Sequence, residues 1–428
     1  MHRPLPEDLP PVWVVWPGAA AEVSNVLRIA GRHGLAVVTY GAGSSLSGLA
    51  DLSDPRRTVV LDTKRMRQVL DVDESSLVIH AQAGITGREL EERLLRHRLR
   101  LGHLPSSLYF STLGGWLATR SAGELTSRYG RVEDICLGLT AVLADGRIIH
   151  TRPVPRKATG PDLMRLLLGS EGTLGVITAA HLRVHRLHEV RLRLSALFDR
   201  PEDGLESLGE AIARGVRPGM AVLLDPLTGS RLHSSTGWLM CVSFEGAEPV
   251  VSAELDLTAE LATARGGELL GPKPAAEWWA TRHREPHRIL SLRASGETLV
   301  DEMDLAAPWS RLVSVAYGVR RALERAGAEA RVELGHFTLE GGCAVVRFQA
   351  QLEKTRDASE RLRMHDDLWR VGVEACRKAG GGLVHHRGVG RQRLEFADEE
   401  LGSAKQLLAR VKDALDPKRT LNPGLLNL

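Results

Sequence analysis

The sequence predicts an α+β protein of more than one domain. Three observations predict it. The chain has 428 residues, too many for one compact core and suited to two or three domains. Short apolar runs alternate with amphipathic helical stretches up to about residue 187. From about Glu189 to Ala350 that pattern gives way to a second α/β stretch, after which a long helix and a glycine-rich segment follow. The domain boundaries are therefore read as 1–188, 189–370 and 371–428.

Taken in order, "AAEVSNVLRIAGRHG" has apolar residues at helical spacing and ends on Gly34, a C-cap glycine. "LAVVTY" reads as a buried strand that runs into the small-residue loop "GAGSSLSG". "RTVVLDT" and "SLVIHAQAG" are further strands, and "GRELEERLLRHRL" is an amphipathic helix. "LTAVLADGRIIHT" is a hairpin with Asp145-Gly146 at its turn. In the second region "VRLRLSALF", "AVLLDP" and "WLMCVSFEG" read as strands. "ARVELGHFTL" and "CAVVRFQAQL" flank a turn at Glu340 to Gly342. "RLRMHDDLWRVGVEACRKAG" and "AKQLLARVKDALDP" are helices, the second followed by "LNPG".

Composition narrows the function. A net charge of +3 and the lack of a basic stripe with interleaved aromatics argue against nucleic acid. The chain has 48 arginines against 8 lysines, so a lone arginine says little about an anion site. Cys136, Cys241, Cys343 and Cys376 lie far apart with no CxxC spacing, which disfavours a zinc or dithiol site and fits a reduced, cytoplasmic setting. The first residues lack the apolar run of a signal peptide, and nothing approaches ~18 consecutive apolar residues. Peripheral membrane contact and a homodimer stay open.

Three loops carry chemistry. "VVTYGAGSSLSGL" offers backbone N–H groups in a tight concave turn that suits a pyrophosphate, although it is neither GxGxxG nor a P-loop. On its own it reads equally well as a plain strand-to-loop turn. In "SSLYFSTLGGWLATRSAG", Gly114 and Gly115 let a backbone approach a ligand, and Ser111 or Thr112 reads as a helix N-cap. In "LLLGSEGTLGVIT", Glu171 sits among three glycines before an apolar strand. A fourth segment, "GGLVHHRGVGRQR", pairs His385 with His386. It is open to four readings: metal ligands, a proton-transfer pair, a phosphate pocket or a turn.

The order of these loops resembles the PCMH-type FAD-binding domain of the vanillyl-alcohol oxidase superfamily over about residues 11–187. Within that superfamily the wording is similar to the alkylglycerone-phosphate synthase family. It shares "AGITGREL", "GHLPSSLYFSTLGGWLATRSAG", "RYGRVEDI", "TGPDLMRLLLGSEGTLGVIT", "APWSRL" and "HHRGVGR". The resemblance implies a two-lobed FAD domain, an α/β substrate (cap) domain that covers the isoalloxazine, and a C-terminal segment returning to the flavin. FAD is implied to be non-covalent. Its phosphates would lie against Thr39, Tyr40, Gly41, Ala42, Gly43, Ser44 and Ser45. Ser106, Ser107, Leu108, Tyr109, Phe110, Ser111 and Thr112 would add contacts, with Gly114 and Gly115 behind them. Ala118, Thr119, Arg120 and Ser121 would follow, then Glu171, Gly172, Thr173, Leu174, Gly175, Val176 and Ile177.

On the substrate side the resemblance implies His103, His385 and His386 for proton transfer and Arg293 for a small anionic substrate, a phosphate or a carboxylate. The family exchanges acyl for alkyl on a dihydroxyacetone-phosphate ester through a flavin N5 adduct. Two positions depart from it: Val345 stands where the family has a catalytic tyrosine, and Arg387 where it has a third histidine. Two further readings follow from those departures. One is an FAD-linked dehydrogenase or oxidase acting on a hydroxy acid or other alcohol. The other is a non-catalytic FAD-binding paralogue. No metal is expected. Relatives resembling the D-lactate and glycolate dehydrogenases carry a histidine-rich metal motif, and the matching "GHFTLEGGCAVV" keeps only His336.

Overall fold

Strand-forming runs sort into two units in the structure, a computed structural model that describes residues 13–52, 57–234, 236–295, 297–352 and 357–428. Among the described residues, one unit combines residues 13–122, 130–187 and 386–428. The other takes residues 123–129 and 188–385.

In the first unit β1 (Trp13–Val15), β2 (Ala36–Tyr40) and β3 (Thr58–Asp62) form a parallel sheet of order β1-β3-β2. Parallel strands of one sheet need a crossover, and the helix Ala20–His33 supplies the one from β1 to β2, which lie on either side of β3. That helix stops at Gly34, whose φ of 61° is the left-handed cap the sequence predicts. Next come β4 (Val69–Asp73), β5 (Val78–Gln82), β6 (Leu99–Arg100), β7 (Cys136–Val142), β8 (Ile148–His150), β9 (Val176–Arg183) and β10 (His185–Arg186). β6 pairs with β10, and the other five make an antiparallel sheet of order β4-β5-β9-β7-β8. The hairpin turn Asp145-Gly146 docks on the crossover helix, where Ser24 Oγ donates to Gly146 O at 2.6 Å.

On one face of that second sheet His80 and His181 stand directly opposite each other. Their rings stack at 3.8 Å. Burial, with the His80 ring adding to it, pushes the His181 imidazole down to about 4.

The C-terminal residues complete the first sheet. Leu421 forms a parallel bridge with Val37. Val37 N donates to Thr420 O at 2.6 Å, and Asn422 N donates to Val37 O at 2.9 Å. The Leu421 side chain is fully buried among Leu27, Val37, Leu61 and Val176.

In the second unit β11 (Val190–Phe198), β12 (Met220–Leu224), β13 (Trp238–Gly246), β14 (Glu268–Leu269), β15 (Thr298–Pro308), β16 (Glu329–Gly335) and β17 (Gly341–Gln351) form one antiparallel sheet. Its order is β14-β11-β13-β12-β16-β17-β15. The runs "VRLRLSALF" and "WLMCVSFEG" coincide with β11 and β13 residue for residue. Side chains alternate between faces along each strand. Asp301 and Met303 of β15 face the helix Ala358–Lys378: Asp301 Oδ2 accepts from His365 and Trp369, and Met303 abuts Gly372. The opposite face therefore carries Glu302 and Asp304, then Cys343, Val345 and Arg347 of β17, then Arg331 and Glu333 of β16.

Candidate functional site

In the first unit the small-residue loops converge because they are built from residues without bulk. A Cβ on Gly41 would sit 2.3 Å from Thr112 Oγ1, so the first and second loops touch only because position 41 is glycine. A Cβ on Gly172 would sit 2.5 Å from Asn422 Nδ2 and 3.6 Å from Thr39 Oγ1, and φ there is 73°. One on Gly390 would strike Ser47 O, and one on Gly388 would meet Glu171 Oε1 at 2.7 Å. The "HHRGVGR" segment thus reaches the first and third loops through its glycines. The second and third loops are also hydrogen-bonded: Glu171 N donates to Ala118 O and Gly169 N to Leu117 O, each at 2.9 Å.

Glu171 is the hub. Its backbone is left-handed, with φ 51°. Its buried carboxylate accepts Val389 N at 2.5 Å and Gly390 N at 3.0 Å, and its carbonyl accepts Asn422 Nδ2 at 2.6 Å. Burial pushes its carboxyl above the usual range, and the two N–H donors work against that shift. Asn422 closes the ring by accepting Thr39 N at 3.1 Å. Beneath it lies a fully buried ion pair. Lys412 Nζ donates to Asp416 Oδ2 at 2.6 Å, to Thr173 O at 2.7 Å and to Leu421 O at 2.8 Å. Asp416 in turn accepts Thr420 N and Leu421 N.

Not every predicted cofactor residue offers a free group. Ser111 Oγ donates to Ser107 O and accepts from Trp116 Nε1 and Ser107 Oγ, so its hydroxyl is spent inside the loop. Thr112 is the residue before the helix Leu113–Thr119, but neither it nor Ser111 caps that helix through a side chain. The Arg120 guanidinium donates to the carbonyls of Leu168 and Arg165. His103 is buried edge-on against Trp116, with ring centroids 4.9 Å apart. His386 is half-buried.

The second unit holds His385. Its N–H donates to Asp304 O at 2.9 Å and to Asp304 Oδ2 at 3.1 Å. Its ring lies 5.6 Å from that of His336. His336 follows β16 with φ 49° and places Nδ1 3.1 Å from Gly123 O. Val345 is buried on β17, level with Asp304 and Glu333. Arg293 falls on the helix Arg284–Ser295, and its side chain lies outside the described residues.

The first-unit cradle fits a dinucleotide. Thr39 Oγ1 is buried there without a hydrogen-bond partner among the described residues, beside Gly172. The glycines that line the cradle admit no side chain. Residues 11–152 match the FAD binding domain family, and residues 187–426, more than half of the chain, match the C-terminal domain of FAD linked oxidases. The chain belongs to the FAD-linked oxidases. It is a PCMH-type flavoprotein, an FAD-dependent enzyme by family, and FAD is its cofactor.

Members of this family diverge in chemistry. The chain is 28% identical to the alkyldihydroxyacetonephosphate synthase of Caenorhabditis elegans, over 94% of this chain and 74% of the relative. It is 26% identical to the mitochondrial D-lactate dehydrogenase [cytochrome] of Arabidopsis thaliana, over 96% and 73%. A solved alkyldihydroxyacetonephosphate synthase shares the fold, with a TM-score of 0.78 at 24% identity over 96% of this chain and 75% of that one. Among the described residues, no helix of this FAD-linked oxidase is long and apolar enough to cross a membrane.

The cradle residues that pattern reading missed are Asn422, Lys412 and Asp416. Nothing local in "RVKDALDP" or "LNPG" marks them, because the partners Thr39, Glu171 and Thr173 lie far along the chain.

Proposed function

We propose that the chain is an FAD-dependent enzyme of the alkylglycerone-phosphate-synthase type, exchanging acyl for alkyl on a small anionic ester. The observation that carries this reading is the His336–His385 pair, with His385 pinned by Asp304. The exchange consumes an alcohol and releases a carboxylate, so one proton must be taken up by the protein. A paired imidazole suits that task near pH 7. His103 and His386 are the further candidates for proton handling, and Arg293 for the anionic end. FAD, when bound, supplies an electron-deficient ring as the reactive centre. Its phosphates are assigned to the loop Thr39 to Ser45, with the N–H groups of Gly41 to Ser45 and Thr39 Oγ1 as the donors. The loops Ser106 to Thr112, Ala118 to Ser121 and Glu171 to Ile177 form the remaining walls. We assign a non-covalent flavin, because "YGAGSSLSG" holds neither histidine nor cysteine. Acid precipitation should leave all yellow colour in the supernatant.

One observation favours a second reading. Val345 offers no phenol for proton transfer, whereas oxidation of a hydroxy acid needs only one base and an anion site. Anaerobic titration separates the two. Loss of the oxidised-flavin absorbance with a 2-hydroxy acid would establish the dehydrogenase. Formation of the alkyl ether from an acyl dihydroxyacetone phosphate and a long-chain alcohol, with one fatty acid released per ether and the flavin oxidised again after turnover, would establish the exchange.

A further inference from the structure

Four arginines and four glutamates meet at the face of the seven-stranded sheet that carries Arg347, and one of the arginines is left out of the ion pairs. Arg347 sits across from Arg331 on one neighbour and Glu302 on the other. Its guanidinium is spent: Nε donates to Glu302 Oε2 at 3.2 Å and one NH group to Glu333 Oε2 at 2.8 Å. Arg288 is held by Glu285 through contacts of 2.7–3.2 Å. The half-exposed Arg231 approaches the same carboxylate at 3.5 Å. Three arginines thus share three glutamates, and Arg331 is the fourth arginine. Among the described residues, no carboxylate lies within ion-pair distance of Arg331 and no side-chain hydrogen bond reaches its guanidinium.

That guanidinium is half-buried beside a small recess open to solvent. Arg288, Arg347 and Gln349 line the recess with it, Ile289 forms part of an apolar wall, and Glu329 stands at the rim engaged by Gln349 at 2.8 Å. A guanidinium stays protonated at any ordinary pH. Burial and then the fields of Arg231 and Arg288 act against its charge, with Glu285 opposing and Arg347 adding to them. Such a group is stabilised by an anion that can take its fork of donors.

We propose that Arg331, flanked by Arg288 and Arg347, binds the oxyanion end of a small molecule, a phosphate monoester or a carboxylate. The site extends the proposed function, resting on its anionic substrate and naming a receptor other than Arg293. Arg347 lies two residues along β17 from Val345 on the same face. A molecule anchored at Arg331 would therefore lie along Arg347 toward Val345 and Asp304.

The test is equilibrium binding to the FAD-loaded protein without turnover. Calorimetric titrations with inorganic phosphate and with acetate are run at one ionic strength, held by chloride. Wild type should bind at least one of the two saturably. Phosphate about tenfold tighter than acetate names a phosphate monoester, and comparable or tighter acetate names a carboxylate. Arg331→Gln should weaken binding about tenfold or more with the FAD-to-protein ratio unchanged, and Arg331→Lys should recover only part of it. Glu329→Gln should tighten binding about twofold or more by removing the rim carboxylate. That gain cannot come from misfolding. Saturable binding absent from wild type, or equal affinities in wild type, Arg331→Gln and Glu329→Gln, would overturn the site. The hydroxy-acid and acyl-ester titrations read the chemistry separately, so either conclusion can fail without the other.

Discussion

The two units handle charge in opposite ways. In the glycine cradle, the buried charges of Glu171, Lys412 and Asp416 are tied to backbone groups or to each other. What lines that cradle is backbone, glycine and a hydroxyl. On the seven-stranded sheet, carboxylates and guanidiniums face one another across strands, and among the described residues the Arg331 guanidinium is left without an ion pair. A resident cofactor can be recognised by shape, since the fold is selected around it. A substrate that enters and leaves needs an attraction that acts before a close fit exists, and a charge without an ion-pair partner provides it.

Breaking the buried pair should do the most damage to the cradle. Lys412→Met leaves Asp416 charged and buried, and strands the carbonyls of Thr173 and Leu421. We expect a loss of about 3–5 kcal/mol, read from the denaturant midpoint, together with a fall in bound FAD. A midpoint within experimental error of wild type would mean the C-terminal lock is dispensable. Gly172→Val comes next. It places a branched side chain on a left-handed backbone against Asn422 and should cost about 3 kcal/mol. FAD affinity should fall further than stability, because the clash lies at the cradle wall. Equal FAD occupancy in the variant would take Gly172 out of that wall.

The smallest effect concerns pH. His181 is depressed to about 4 in the fold, from the ordinary imidazole value of 6.5. The unfolded chain therefore binds its proton first as pH falls. The stabilisation is fully present above about 6.5 and is lost as pH drops toward 4. With partial exposure discounted, the slope should amount to on the order of 2 kcal/mol. His181→Gln should flatten it, which a pair of unfolding titrations at pH 7 and pH 4.5 would detect. Because the stack lies in the first unit, the anion affinity proposed for Arg331 should not change.

Legibility followed range along the chain. Gly34, the Asp145-Gly146 turn and the strands β11 and β13 were readable because their signals are local: a left-handed cap, a hairpin dipeptide, a run of alternating side chains. The glycine loops were readable as a series for the same reason. Asn422 was not, since its partners Thr39 and Glu171 lie 383 and 251 residues away, and no local pattern encodes such a pairing. Arg331 was hidden differently. With 48 arginines, only the register of β16 against β17 places Arg331 among Arg347, Arg288 and their glutamates without an ion pair of its own. His336 read as the remnant of a metal motif, and its place beside His385 depends on how the end of β16 meets residue 385. Thr112 shows the reverse error. Its identity suggested a helix cap, but the close approach of Gly41 sets what surrounds its hydroxyl.

The Leu421–Val37 bridge also has a consequence in time. A ribosome adding roughly 5–20 residues per second makes Val37 some 20–80 s before the residue that completes its sheet. Through that interval the first loops exist without Asn422 to hold them. FAD capture therefore waits for residues 421 and 422 and is not set by the folding of the first loops alone.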